Sequence, residues 1–411
     1  MVRSWENTTL ENITSVITKG TTPTSIGKSF TLTGINFIKI ECIDKSGQFD
    51  KSMFEHIDVE TNNILKRSQL NDGDILFSIA GALGRIAIVD ERVLPANTNQ
   101  ALAIIRLKKA SDAPNRRYVY YQLQSEKTKR IIEEINVSGA QANLSLDNIS
   151  NLIIPIPEDV KEQERIAEAL SDVDSMISAL EKLITKKKTV KQGAMQELLT
   201  GKKRLPGFDG EWNKINLAKK SKIKARIGWQ GLTTNEYLDS GYSYLVTGTD
   251  FVNGKIDWDN CHYVAKDRFD QDKNIQIQND DILITKDGSL GKTAIVKGLD
   301  KPATLNSGVF VIRPIQESYD PAFVYYILSS FVFKDFLDHL SAGSTIIHLY
   351  QKDISKFEFL MPPTIGEQVA IASILSDMDN EIEALEHKLE KTRQIKQGMM
   401  QQLLTGKIRL I

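Results

Sequence analysis

One segment of this chain occurs twice. Residues 157–205 read PEDVKEQERIAEALSDVDSMISALEKLITKKKTVKQGAMQELLTGKKRL, and residues 362–410 read PPTIGEQVAIASILSDMDNEIEALEHKLEKTRQIKQGMMQQLLTGKIRL. The copies align without a gap at a constant offset of 205 residues, and about half of the aligned positions are identical. A repeat this long is not a short-period solenoid. It divides the chain into variable block, helix, variable block, helix, with boundaries at 1–157, 158–205, 206–362 and 363–411.

Each copy predicts one long helix. Asp159 and Thr364 take equivalent positions, and Glu162 and Glu367 follow at the spacing of a capping box. Pro155, Pro157, Pro362 and Pro363 lie just upstream, while Gly201 and Gly406 stand where a left-handed cap would end the helix. Lysines crowd the second half of the first copy, in keeping with the helix dipole. The apolar positions step by four and three. They are Ile166, Leu170, Val173, Ile177, Leu180 and Ile184 in the first copy, and Ile371, Leu375, Met378, Ile382, Leu385 and Leu389 in the second. That is the spacing of a coiled-coil seam. The seam breaks at Lys187 and Lys191 in one helix and at Thr392 and Lys396 in the other, then resumes at Ala194/Leu198 and Met399/Leu403. Gly193 and Gly398 fall in the broken stretch, where each costs a helix about 1 kcal/mol relative to Ala. A helix lying on its own domain would also be amphipathic. A matched register in two equally long helices favours their packing on each other.

The variable blocks are related more faintly. Trp5 answers Trp212, Leu10 answers Leu217, and GDILFSIAGALGRIAIVD (73–90) answers DDILITKDGSLGKTAIVKG (280–298). Both runs read as strand, glycine-rich turn, strand. A further strand follows in each (101–107 and 308–314), then a helix with aromatics at helical spacing (118–135 and 323–340). A loop and a short strand then feed the long helix. Each block is therefore expected to be an α+β domain of short strands.

With 41% hydrophobic residues, 411 residues suffice for several globular units. No apolar run is long enough to span a membrane and no secretory signal is evident, so a cytoplasmic protein is expected. Cys42 and Cys261 have no neighbouring ligand cluster and read as buried thiols. The formal net charge of −1 argues against a general polyanion binder. Any nucleic-acid surface must be a local patch or be shared with a partner. No Walker loop, HExxH, paired CxxC or Asn/Asp-Pro-Pro-aromatic tetrad occurs, and GALG at 81–84 opens no βαβ unit. His262, His339 and His348 are scattered, and no catalytic constellation emerges.

In combination these features resemble the specificity subunits of type I restriction-modification systems. The resemblance rests on the proline-led helix starts, Glu-Gln at 162–163 and 367–368, Ile-Ala at 166–167 and 371–372, and the endings KQGAMQELLTGK and KQGMMQQLLTGK. The GDIL/DDIL strands and GEWNKINL at 210–217 add to it. It covers the whole chain. It implies an α+β fold with two target-recognition domains, separated by two long helices that form an antiparallel coiled coil with pseudo-two-fold symmetry. Each block would read one half of a bipartite, asymmetric target in double-stranded DNA. TKGTTPTSIG (18–27) facing RIGWQGLTTNEY (226–237) is the divergence such reading requires. A helix of about 40 residues is roughly 60 Å long, enough to serve domains about one DNA turn (~34 Å) apart. The resemblance also implies two modification (methyltransferase) subunits, and restriction and translocase subunits in the full complex. Those partners, not this chain, would bind S-adenosylmethionine, ATP and Mg.

Direct readout needs polar side chains on loops that reach a groove. The candidates are Thr21, Thr22, Ser78, Arg85, Asn99, Gln100 and Gln141 in the first block. In the second they are Arg226, Trp229, Gln230, Thr247, Lys286, Ser289, Lys292 and Asn306. Two other classes compete. One is a coiled-coil scaffold with two protein-binding domains and no DNA role, which the near-neutral charge suits. The other is a fragment of a fused restriction-methylation enzyme, which the missing motifs oppose.

Overall fold

The computed structural model describes residues 5–109, 113–137, 143–227, 231–341 and 348–411, with the side chains of 136, 137 and 341 excepted. The chain forms two compact units, one of residues 1–181 and 387–411, the other of residues 182–386. The division falls inside the long helices rather than at their ends, so each unit owns part of both repeats.

In the first unit Trp5–Thr9 pairs antiparallel with Ile153–Pro157. A four-stranded antiparallel sheet runs in the order Thr14–Lys19, Leu102–Leu107, Ile75–Ser78, Ile86–Ile88. A smaller sheet places Ile35–Ile38 between Glu55–Ile57, antiparallel, and Ala96–Thr98, parallel. The second unit repeats this plan. Asn213–Asn216 pairs with Glu358–Met361. The four-stranded sheet runs Ser221–Ala225, Val309–Pro314, Ile282–Thr285, Thr293–Ile295. Ser243–Val246 lies between His262–Val264, antiparallel, and Ala303–Leu305, parallel. The strand–turn–strand runs expected from the sequence are hairpins of the larger sheets. The helix expected over 118–135 is two, Arg116–Leu123 and Glu126–Val137, because Ser125 accepts the N–H of Thr128 and opens a new helix. The counterpart is likewise split into Pro321–Leu328 and Phe331–Ser341.

The long helices are Val160–Leu198 and Ile365–Leu403. Their early seam positions enter the domain cores. Ile166, Ala167 and Leu170 pack with Tyr118, Ile154, Leu403 and Leu404 in the first unit. Ile371, Ala372 and Leu375 pack with Phe323, Phe359, Leu198 and Leu199 in the second. Leu180, Ile184, Ile382 and Leu389 are buried, and Val173, Ile177, Met378 and Leu385 are half-buried. In the broken stretch, charges take over from apolar contacts. Within the first unit Glu162, Asp174 and Glu181 meet Arg409, Lys396 and Arg393. Within the second, Lys187, Lys188, Lys191 and Arg204 meet Glu381, Glu386, Asp379 and Glu367. Along the first series one partner's number rises as the other's falls, and in the second the partners move from Glu381 and Glu386 at Lys187 and Lys188 to Glu367 at Arg204, so the helical segments in each unit run antiparallel.

The helix starts depart from the expected capping box in one respect. Asp159 accepts from the Lys161 N–H at 3.1 Å and Thr364 from the Glu367 N–H at 3.3 Å, as N-caps do. The acids do not fold back onto the caps. Glu162 and Glu367 are 1% and 0% exposed and are bridged by Arg409 and Arg204 through two guanidinium nitrogens each. Gly201 and Gly406 end the helices with φ of 69° and 71°. A Cβ on either would lie 3.1 Å from the ring of Trp212 or Trp5.

Burial separates two seam positions. Leu180 is 7% exposed, whereas Lys187 lies in an exposed ion pair with Glu381. Leu180→Asp should cost about 3 kcal/mol or more, since it leaves a charge in an apolar contact. Lys187→Ala should cost under about 0.5 kcal/mol. Denaturant unfolding checks this, and equal costs would contradict a buried seam at 180.

Candidate nucleic-acid interface

Each unit gathers loops at one end of its four-stranded sheet. In the first, Lys19 pairs with Ala103 and Ser78 with Leu102, so segments 20–22, 79–85 and 98–101 leave the sheet together. Gly20 donates its N–H to Asn99 O at 3.1 Å, and Thr22 Oγ1 donates to Gln100 Oε1 at 2.6 Å. Ser78 frames the glycine turn: its Oγ donates to Ala82 O at 2.5 Å and accepts from the Arg85 N–H at 2.7 Å. Gly81 and Gly84 hold φ of 75° and 77°, which side-chain-bearing residues rarely adopt.

The second unit repeats the arrangement. Ala225 pairs with Phe310 and Thr285 with Val309, which brings 226–227, 286–292 and 306–308 to the matching end. Thr285 takes the place of Ser78, donating to Ser289 O and accepting from the Lys292 N–H at 2.9 Å. The imidazole of His348 meets the carboxylate of Asp287 across the turn. The parallel strand pair supplies one more loop, which starts at Lys39 in the first unit and at Thr247 in the second.

In the first unit the described candidates come together. Thr21 and Thr22 are half-buried and Gln100 is exposed. Asn99 Oδ1 accepts from the Ala101 N–H at 3.1 Å, and Arg85 Nη1 donates to Ile43 O at 3.0 Å. In the second unit Ser289 and Lys292 are exposed, and Lys286 lies 5.7 Å over the Phe310 ring. Asn306 donates to the Tyr237 hydroxyl at 2.8 Å, and Thr247 bonds the Asp250 carboxylate. Gln141, Trp229 and Gln230 lie outside the described residues.

Two candidates are corrected. Ser78 is 0% and Arg226 2% exposed, with their polar atoms committed inward. Arg226 Nε donates to Leu305 O at 2.8 Å and Nη2 to Thr304 Oγ1 at 3.3 Å, and burial lowers its pKa. Both hold the loops in place and offer no donor outward. Sequence reasoning missed Lys39, Tyr237 and the Asp287–His348 pair. Lys39 takes the place of Thr247 and lies between Glu55 and the Phe30 ring. Nothing but its position after a short strand marks it. Among the described residues no group of His, Cys, Asp or Glu is placed to hold a metal. Cys42 and Cys261 are buried free thiols, and burial raises both, Cys261 to about 12.

The family described as the type I restriction modification DNA specificity domain matches residues 3–192 and 231–395. The chain belongs to that family. Sequence recognition on DNA is thus the role of its two matched segments, as the resemblance implied. A type I restriction enzyme specificity subunit of Methanocaldococcus jannaschii (MjaX) is 27% identical over 420 residues, which span 99% of this chain and 94% of its own. A second from that organism (MjaVIII) is 25% identical over 358 residues, spanning 83% of this chain and 80% of its own. The S subunit of a type I system from M. genitalium matches the fold with a TM-score of 0.63 at 17% identity, covering 98% of this chain and 96% of its own. A chain from a structural study of type I assembly and conformational transition gives 0.58 at 15% identity, covering 97% of each. These likenesses concern the fold, and they bear out the α+β, two-domain, long-helix architecture expected from the sequence.

The loop geometry separates framing residues from exposed ones in this specificity-domain chain. Ser78→Ala should cost about 1–3 kcal/mol by orphaning the Arg85 N–H. Gln100→Ala should change stability by under about 0.5 kcal/mol while altering the sequence read by the first unit. Thermal unfolding and methylome mapping of the assembled enzyme distinguish the two effects.

Proposed function

We propose that this chain is the DNA-recognition subunit of a type I restriction-modification enzyme. Each unit reads one half of a bipartite target, and the paired helices set the unread spacer between the halves. One observation carries this reading: a single loop frame occurs twice with different side chains on it. Thr22, Arg85 and Gln100 stand on one copy, and Lys286, Ser289, Lys292 and Asn306 on the other. Identical frames with distinct donors and acceptors suit two different base sequences. The matched family and the relatives named as specificity subunits support it.

The chemistry belongs to partners. Two modification subunits dock on the helices and domains and methylate adenine with S-adenosylmethionine, after the target base is flipped from the duplex. Restriction subunits add ATP- and Mg-dependent translocation and cleavage. This chain itself catalyses nothing.

The purified chain should therefore transfer no methyl group from S-adenosylmethionine, hydrolyse no ATP and cut no DNA, and sequence-specific methylation should appear when a modification subunit is added. Radiolabelled methyl transfer tests this, and activity of the chain alone would sink the proposal. In a second test, residues 1–157 are replaced by the matching block of a relative. One half of the methylated sequence should change and the other half and the spacer should stay. A change in both halves would show that the units do not read independently.

A further inference from the structure

The two units differ along the outer strand of the larger sheet. In the second unit that strand, Ser221–Ala225, pairs among the described strands with Val309–Pro314 alone, and Ile223 O also accepts from Gln351 Nε2 at 3.2 Å. Ser221 and Ile223 are buried, and Lys222 and Lys224 alternate with them and are exposed. Lys219 and Lys220, also exposed, precede them in the short helix Leu217–Lys220. Among the described residues none of these four lysines has an ion-pair partner, whereas Lys214 before them and Lys255 after them do. Lys222 stands opposite Arg313, whose charge is already met by Asp281. The strand runs toward the reading loops. Its last residue, Ala225, pairs with Phe310, the ring beneath Lys286.

In the first unit the matching strand is bulged at Ser15, and Val16 and Thr18 stand opposite Arg106 and Ile104. The lysine row is therefore no requirement of the fold. Lysines on an outer strand also deter edge-to-edge pairing of sheets. Two on the strand would serve that end, yet the row continues off the strand through Lys219 and Lys220. A chain with net charge −1 must concentrate positive charge locally to hold a polyanion.

We propose that Lys219, Lys220, Lys222 and Lys224 form a track for the phosphate backbone of duplex DNA beside the half-site read by the second unit. This rests on the DNA-reading role proposed above. The track contributes affinity without sequence preference and has no counterpart on the first unit.

The test measures binding of the complex with modification subunits to cognate and scrambled duplexes across a salt series. Lys222→Gln with Lys224→Gln should weaken both affinities by the same factor. It should also reduce the slope of log K against log salt by about 2, near 0.9 per lost phosphate contact, with the methylated sequence unchanged. Lys222→Arg with Lys224→Arg should keep the wild-type slope. An unchanged slope in the glutamine variant, with or without self-association on sedimentation, would overturn the track. A loss confined to the cognate duplex would overturn it too. A wild-type complex that shows the lysine-dependent slope but no preference for the cognate duplex would fault the half-site reading and leave the track standing.

Discussion

A carboxylate buried at the start of each long helix is the constraint on which the rest depends. Glu162 and Glu367 are almost wholly removed from water, and a buried charge is tolerable only when paired and hydrogen-bonded. Their partners, Arg409 and Arg204, lie just beyond the ends of the opposite helices. The start of one repeat therefore needs the exit of the other within the same unit. Each arginine also lies over a tryptophan, Trp5 or Trp212, at 5.8 or 5.9 Å, and the same ring abuts the capping glycine. Helix end, first strand and helix start close into one contact. The remaining charges agree with this polarity. In each of these pairs the acid lies nearer the start of its own helix than the cation does to the start of its own, which suits the helix dipole and gives opposite-charge pairs when the segments run antiparallel.

The residues beside this contact tie each domain to its helices. Gln163 accepts from the Asn115 N–H and donates to Pro157 O, and Gln368 does the same with Asp320 and Pro362. The Glu-Gln dipeptide thus divides its work: the acid reaches the other helix and the amide reaches the domain. Farther along, Asp174 accepts from the Tyr121 hydroxyl at 2.9 Å and pairs with Lys396, while Asp379 does so with Tyr326 and Lys191. Burial raises the pKa of both tyrosines, so each phenol keeps the proton it donates. The seam is broken where these groups sit because a polar tether between domain and helices takes the place of apolar contact.

The parts legible in the sequence were those fixed by local rules. Heptad spacing marks Leu180 and Leu389 because a seam repeats at every turn or two. Gly201 and Gly406 were legible because a left-handed cap admits few other residues. Glu162 was misread because an acid at the third helical position serves a capping box or a distant arginine equally well, and only the tertiary fold brings Arg409 near. Ser78 and Arg226 were misread for a related reason. A polar residue at a strand end looks alike whether it faces a groove or the interior, and burial, which composition does not encode, decides. The parallel pairing of Ile35–Ile38 with Ala96–Thr98 lay beyond reach because strands of three or four residues carry too little periodicity to specify a partner.

Frame and loop are physically separated in both units, and that separation suits a protein that must vary what it recognises. Asp74 and Asp281 clamp Arg106 and Arg313 at 2.6–2.7 Å across neighbouring strands, and Ser78 and Thr285 hold the glycine turns from within. Asp74, Asp281, Ser78 and Thr285 are buried, while the two arginine side chains stay 27% and 28% exposed. Outside them, Gly81 and Gly288 have nothing within 4 Å of a would-be Cβ, and their neighbours Ala82 and Ser289 are exposed. A change of side chain at Ala82 or Ser289 removes no buried hydrogen bond and opens no cavity, so its cost falls on recognition rather than on folding, whereas the positive φ of Gly81 and Gly288 keeps those two positions glycine. A change at Ser78 or Glu162 does the reverse. The same scaffold can therefore carry two unlike reading surfaces in one chain, provided the clasps at Glu162 and Glu367 stay closed.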